Sequence, residues 1–187
     1  MIPHWSEDPF ATRTTVHGLP SDQVRSALHK HVRRGRVEEA VRAAVELART
    51  DPDHEAEMWR RLQVLAAEDV GQGDVGAIVV VRALHESALD APEGSYDRLV
   101  FAAQAAAVLA RAPKDPTNVE IMQVALHTEA IPDIPDEAIC IHTRAGQEQG
   151  RTLADWFEGA AILVPEVDDR DESWRRQLEA IYRDLSD

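Results

Sequence analysis

Cysteine is almost missing from this sequence: Cys140 is the single one among 187 residues. That excludes an intramolecular disulfide framework and makes a reducing, cytoplasmic setting the expectation, in keeping with an opening segment, "MIPHWSEDPFATRTT", that has no secretory pattern. Aromatic residues are only 5% of the composition, which leaves Ala, Leu and Val as the main apolar stock. Long apolar runs are missing too. The longest, "AIVVV" at 77–81 and "AAQAAAVLA" at 102–110, fall far short of the roughly 20 residues that a spanning helix needs, so no membrane crossing is expected. Basic residues are in deficit, 20 against 34 acidic ones, and the resulting charge of −14 repels nucleic acid and anionic lipid unless the cations gather on one face.

Catalytic signatures are equally scarce. No GxxxxGK[ST] stretch provides a nucleotide cradle, no GxSxG places a serine nucleophile, and no HExxH or CxxC spacing marks a metal site. His29 and His31 are two residues apart and face different directions on a helix, as do Cys140 and His142. ATP hydrolysis is therefore not expected, and neither a metal nor any other cofactor is implied.

What is present is helical periodicity. Residues 1–20, with Pro3, Pro9, Gly18 and Pro20, read as an extended arm whose Trp5 and Phe10 pack back on the body. From residue 21 to 187 the spacing predicts one all-α, bundle-like domain of about seven to nine helices. Ser21 is the expected N-cap of the first helix, Gly35 its stop, and Asp51-Pro52 the start of the third. The third helix should bury Met58, Leu62 and Leu65. The fourth, "VGAIVVVRALHESALDA", is apolar on so many sides that it should lie deep, with Val80 in the core. A small-residue helix over 95–112 can pack closely against neighbours or against a copy of itself. The "IPDIPD" run is a connector, followed by two short helices and a closing one.

Two clusters invite a functional reading. In "RRLQVLAAEDVGQGD", Gly71 fits a helix stop and Asp74 the next N-cap, a purely architectural joint. The adjacent carboxylates Glu68 and Asp69 are less readily explained, because acidic groups at a helix C-terminus oppose the dipole. Arg60 and Arg61, one or two turns upstream, are the cations that would compensate them; a ligand-binding role is the alternative. In "HTRAGQEQGR", His142, Arg144 and Arg151 make a cationic island able to contact phosphate or to neutralise nearby acids such as Glu148 and Asp155.

The window 60–74, followed by "AAQAAAVLARAPKDPTN" with its Pro113 and Lys114, resembles the helical C-terminal region of MgsA/RarA-type AAA+ ATPases. The matching positions include Arg60, Arg61, Leu62, Glu68, Asp69, Gly71, Asp74 and Lys114, and "VRSALHKHVRRGRVEEAVRAAVEL" resembles that region's opening hairpin. The resemblance spans roughly 21–130. The remainder, 131–187, is similar to the C-terminal extension of stand-alone proteins that carry this region without a motor, through Pro135, Asp136, His142, Thr143, Gly146, Gly150, Arg151, Trp156 and Phe157. Cys140 stands where that extension has an acidic residue.

The resemblance implies a non-catalytic assembly or adaptor protein linked to DNA replication or repair. Its expected partners are a second copy of itself and a replication or repair protein. Weak, sequence-independent DNA contact through Arg33, Arg34, Arg36, Arg60, Arg61, Lys114, Arg144 and Arg151 belongs to the same expectation. The alternative is a small enzyme acting on a phosphate-bearing or nucleic-acid substrate at a cleft formed by "EDVG", "APK" and "HTRAG". Convergence of Glu68, Asp69, His142 and Arg144 in one open pocket would favour the enzyme.

Overall fold

The computed structural model describes residues 4–185. They are all-α: no strand occurs among them, and two isolated bridges, Thr14 to Pro20 and Gly71 to Asp115, are their β pairings. The helical stretch comprises two compact units, residues 1–129 and 130–187. The division falls where the sequence resemblance changes from one pattern to the other.

The first unit holds α1 (Ser21–Arg33), α2 (Val37–Ala48), α3 (Pro52–Leu65), α4 (Val75–Leu89), α5 (Tyr96–Arg111) and α6 (Thr117–Thr128). Helices α1 and α2 form the expected hairpin, turned at Gly35, which adopts φ +67°. Asp51 caps α3 by accepting from the His54 backbone N–H at 3.0 Å, with Pro52 as the first helical residue. Ser21 does not cap α1. It is the first residue of the helix, fully buried, and its hydroxyl hydrogen-bonds His54 Nε2 at 2.8 Å.

The core is built from Leu28 and Val32 of α1, Ala40, Ala44 and Leu47 of α2, and Met58, Trp59, Leu62 and Leu65 of α3. Ala102, Ala105, Ala106 and Leu109 place α5 at its centre, packed on α2 and α4. Small side chains let these helices approach closely, so the alanine-rich face expected for self-association is already covered within the unit. The fourth helix departs from its expected depth. Only Ala77, Val81 and Ala88 are buried, while Val75, Ile78, Val79 and Val80 reach solvent. A run of β-branched residues covers more of a helix surface than the one face α4 presents to α3 and α5.

Residues 4–20 are tied down mostly by polar contacts. They begin with a 3-10 turn at Trp5–Glu7. The Phe10 ring meets the His54 ring edge-on at 5.1 Å, Arg13 donates to Asp51 at 2.8 Å, and Arg25 of α1 pairs with Asp8. Phe10 thus packs on the body as expected, whereas Trp5 stays exposed beside His4.

The second unit holds α7 (Arg144–Glu148), α8 (Leu153–Asp155) and α9 (Ser173–Asp184). Helix α8 runs into a π-helical turn, Trp156–Ala160, that buries Phe157. Tyr182 of α9 meets both Trp156 and Phe157 edge-on, and the Arg175 guanidinium lies 4.5 Å over the Phe157 ring. No helix among the described residues is long and apolar enough to cross a membrane.

Two outcomes follow. Leu65→Ala is expected to cost about 2–5 kcal/mol in urea unfolding, and Val80→Ala less than about 1 kcal/mol, because Leu65 is enclosed and Val80 is 41% exposed. His85 stacks on Trp59 at 4.8 Å, and burial first, then the Arg82 charge, lowers its pKa below the ordinary 6.5; burial lowers that of His29 in the same way. A histidine whose folded pKa is depressed stabilises fully above its unfolded value and loses that stability as pH falls below about 6.5. The carboxylates Asp8, Glu46, Asp51 and Glu57, also lowered, hold their contribution until pH drops below their ordinary values of 3.8–4.5. The melting temperature should therefore fall in two steps on acidification, and His85→Gln should flatten the upper one.

Candidate functional site

Helix α3 does not stop at the two acids. It continues into a π-helical turn, Ala66–Val70, closed by an i to i−5 hydrogen bond from Gly71 N–H to the Ala66 carbonyl at 3.0 Å. The wider turn carries Glu68 and Asp69; such single turns recur at functional sites. Gly71 then takes φ +51° and ψ −123°, a conformation open to glycine.

This turn is held by backbone pairing with the segment after α5. Asp115 N–H donates to the Val70 carbonyl at 3.0 Å and Gln72 N–H to the Asp115 carbonyl at 3.4 Å. A Cβ on Gly71 would collide with the Asp115 carbonyl oxygen, and one on Gly73 would stand 2.6 Å from that of Pro113. The "EDVGQGD" and "APKD" stretches therefore meet backbone to backbone. Lys114 turns back on α5, donating to the terminal carbonyls of Ala112 and, at 3.3 Å, Ala110. Burial lowers its pKa, and the negative charge of Asp69 works against that shift.

The cation facing Asp69 is Arg33, from α1. Its Nε donates to Asp69 Oδ1 at 2.8 Å, and Nη2 lies 2.7 Å from the same oxygen and 3.5 Å from Glu68. One turn earlier on the same helix, His29 brings Nε2 to 3.1 Å from Asp69 Oδ2. That pair lacks hydrogen-bond alignment, and both atoms are buried without a hydrogen-bond partner. Burial, then the Arg33 charge, holds the His29 pKa below its ordinary value. Beside these groups lies a cleft of about 330 Å³, lined by Arg33, Glu68, Asp69, Lys114, Pro116 and Val119 among others.

Arg60 and Arg61 do not compensate Glu68 and Asp69. They serve the buried Glu57: Arg60 donates twice at 2.7 Å, Arg61 stands at 3.6 Å, and Arg25 of α1 adds a contact at 3.2 Å. The physical reason is register. Glu57 lies three and four residues before the two arginines on the same helix, within side-chain reach, whereas Glu68 and Asp69 lie seven to nine residues after them, about two turns along the helix.

His142, Arg144 and Arg151 belong to the second unit. Arg151 forks onto both oxygens of Asp136 at 2.6 and 2.8 Å, and Arg144 pairs with Glu148 at 3.5 Å. His142 meets the Trp156 ring edge-on, with Nδ1 3.5 Å from Cys140 Sγ. Thr143 caps α7 through the Gly146 N–H, and Gly146 packs so tightly on the Cys140 carbonyl that no Cβ fits.

Of the eight residues singled out in the sequence, Glu68, Asp69 and Lys114 share one cleft, and Arg60 and Arg61 share Glu57. His29 and Arg33 complete the acidic site. Their i, i+4 spacing on α1 was visible in sequence, but nothing local tied it to acids some forty residues away. Gly71→Ala should lower stability by about 1–3 kcal/mol, read by thermal denaturation, because neither the positive φ nor the Asp115 contact admits a side chain. No protein-family model and no curated protein matches this chain.

Proposed function

We propose that the protein is a non-catalytic helical assembly protein that binds a second copy of itself through the outer faces of α4 and α6. The observation that carries this reading is α6. It buries no residue, exposes Ile121, Met122, Val124 and Leu126, and bears a single charged side chain, Glu120. Helix α4 exposes Val75, Ile78 and Val79, and its charged residues Arg82 and Glu86 neutralise each other at 2.6 Å. On a chain of charge −14, two copies repel over most of their surface. A nearly uncharged apolar face is where they can approach. A place in DNA replication or repair is what the resemblance to the MgsA/RarA-type region adds to this reading.

Phosphate chemistry has less support. Arg33, Arg60, Arg61, Arg144 and Arg151 are engaged by carboxylates and Lys114 by carbonyls. Arg34 and Arg36, at the α1–α2 turn, are left for weak duplex contact.

Light scattering across low to high micromolar concentration tests the assembly reading. The parent protein should exceed monomer mass, and Ile121→Asp combined with Leu126→Asp should return it to a folded monomer whose melting temperature no longer depends on protein concentration. A parent that stays monomeric at high micromolar concentration removes the proposal, as does a double variant that assembles like the parent.

A further inference from the structure

We propose that His29, Glu68 and Asp69 form a binding site for one divalent first-row transition-metal ion. Each residue offers one ligand atom, and the three atoms lie within 4.8 Å of one another. The imidazole comes from α1 and both carboxylates from the π-helical turn, so the site exists only in the folded unit.

The two most buried donors give the strongest argument. Asp69 is 94% buried at its side chain, yet only Oδ1 is occupied, by Arg33; Oδ2 has no hydrogen-bond partner. His29 Nε2 is likewise orphaned, and it stands 3.1 Å from that same oxygen. Two donors bound at about 2.0 Å to a tetrahedral ion are about 3.3 Å apart, and at right angles about 2.8 Å, so the observed separation falls in the range for two ligands sharing one ion. Leaving both atoms buried and unpaired is costly; a cation between them satisfies both at once.

The surroundings suit the same role. Arg33 grips Oδ1 and so orients Oδ2, the outer-shell arrangement that usually accompanies a carboxylate ligand. Glu68, about one-third exposed, reaches the site from the solvent side. Two carboxylates supply negative charge for the ion, shared with the Arg33 guanidinium, while the Lys114 ammonium is held by the α5 carbonyls. An imidazole in the set selects a transition ion over magnesium or calcium. Three protein ligands leave at least one position for water.

The competing arrangement is a protonated His29 paired with Asp69, which holds no metal. Chelator-stripped full-length protein, titrated with zinc in a calorimeter, separates the two. The expected result is one ion per chain in the micromolar range or tighter, with cobalt giving visible d–d bands at the same stoichiometry. His29→Gln should weaken zinc roughly tenfold or more, Glu68→Gln should weaken it measurably, and His142→Gln should leave it unchanged. Glu68 is partly exposed, so its variant tests the site even where His29→Gln fails to fold. Absence of zinc binding at micromolar concentration overturns the proposal, as does parent-like affinity in Glu68→Gln or in a folded His29→Gln protein.

Discussion

The backbone contact between Gly71 and Asp115 is the constraint on which the first unit depends. It joins the end of α3 to the end of α5 at a distance that no side chain permits. With that joint closed, the π-helical turn cannot unwind into an ordinary α-helical end, and Glu68 and Asp69 are carried toward α1. A pair of acids at a helix C-terminus would by itself be unfavourable. Arg33 offsets that cost from a neighbouring helix, so the joint and the acidic site support each other.

The same economy of charge recurs through the fold. Glu57 gathers Arg25, Arg60 and Arg61; Glu55 takes Arg98 at 3.1 Å, with both side chains largely buried; Asp51 serves the α3 cap, His54 and Arg13. Each buried carboxylate has a cation or a helix end beside it, which is what low dielectric surroundings demand. Asp69 has Arg33 on one oxygen, while its other oxygen and the facing imidazole nitrogen make no hydrogen bond.

Apolar surface is distributed less evenly than charge. In the first unit, alanines draw α2, α4 and α5 into close contact, and larger aliphatic side chains of α4 and α6 remain outside. The helix richest in β-branched residues is peripheral, and the helix richest in alanine is central. Packing selects for closeness of approach as well as for hydrophobicity, and an Ala-faced helix fits the centre better than a Val-faced one.

The sequence by itself determined the helical class, the hairpin at Gly35, the Asp51 and Asp74 caps and the inward face of α3, because these depend on spacing and capping within a few residues. It also placed a joint at Gly71, where the need for a positive φ is local. The partner of Asp69, the depth of α4 and the division at residue 129 were settled only by tertiary structure. Arg60 and Arg61 are near Glu68 and Asp69 along the chain, but helical register gives them to Glu57, and the acids meet Arg33 and His29 of α1 instead. His29 has no local signal of its role, because its companions in the site lie some forty residues on and are brought to it by the closure of Gly71 on Asp115.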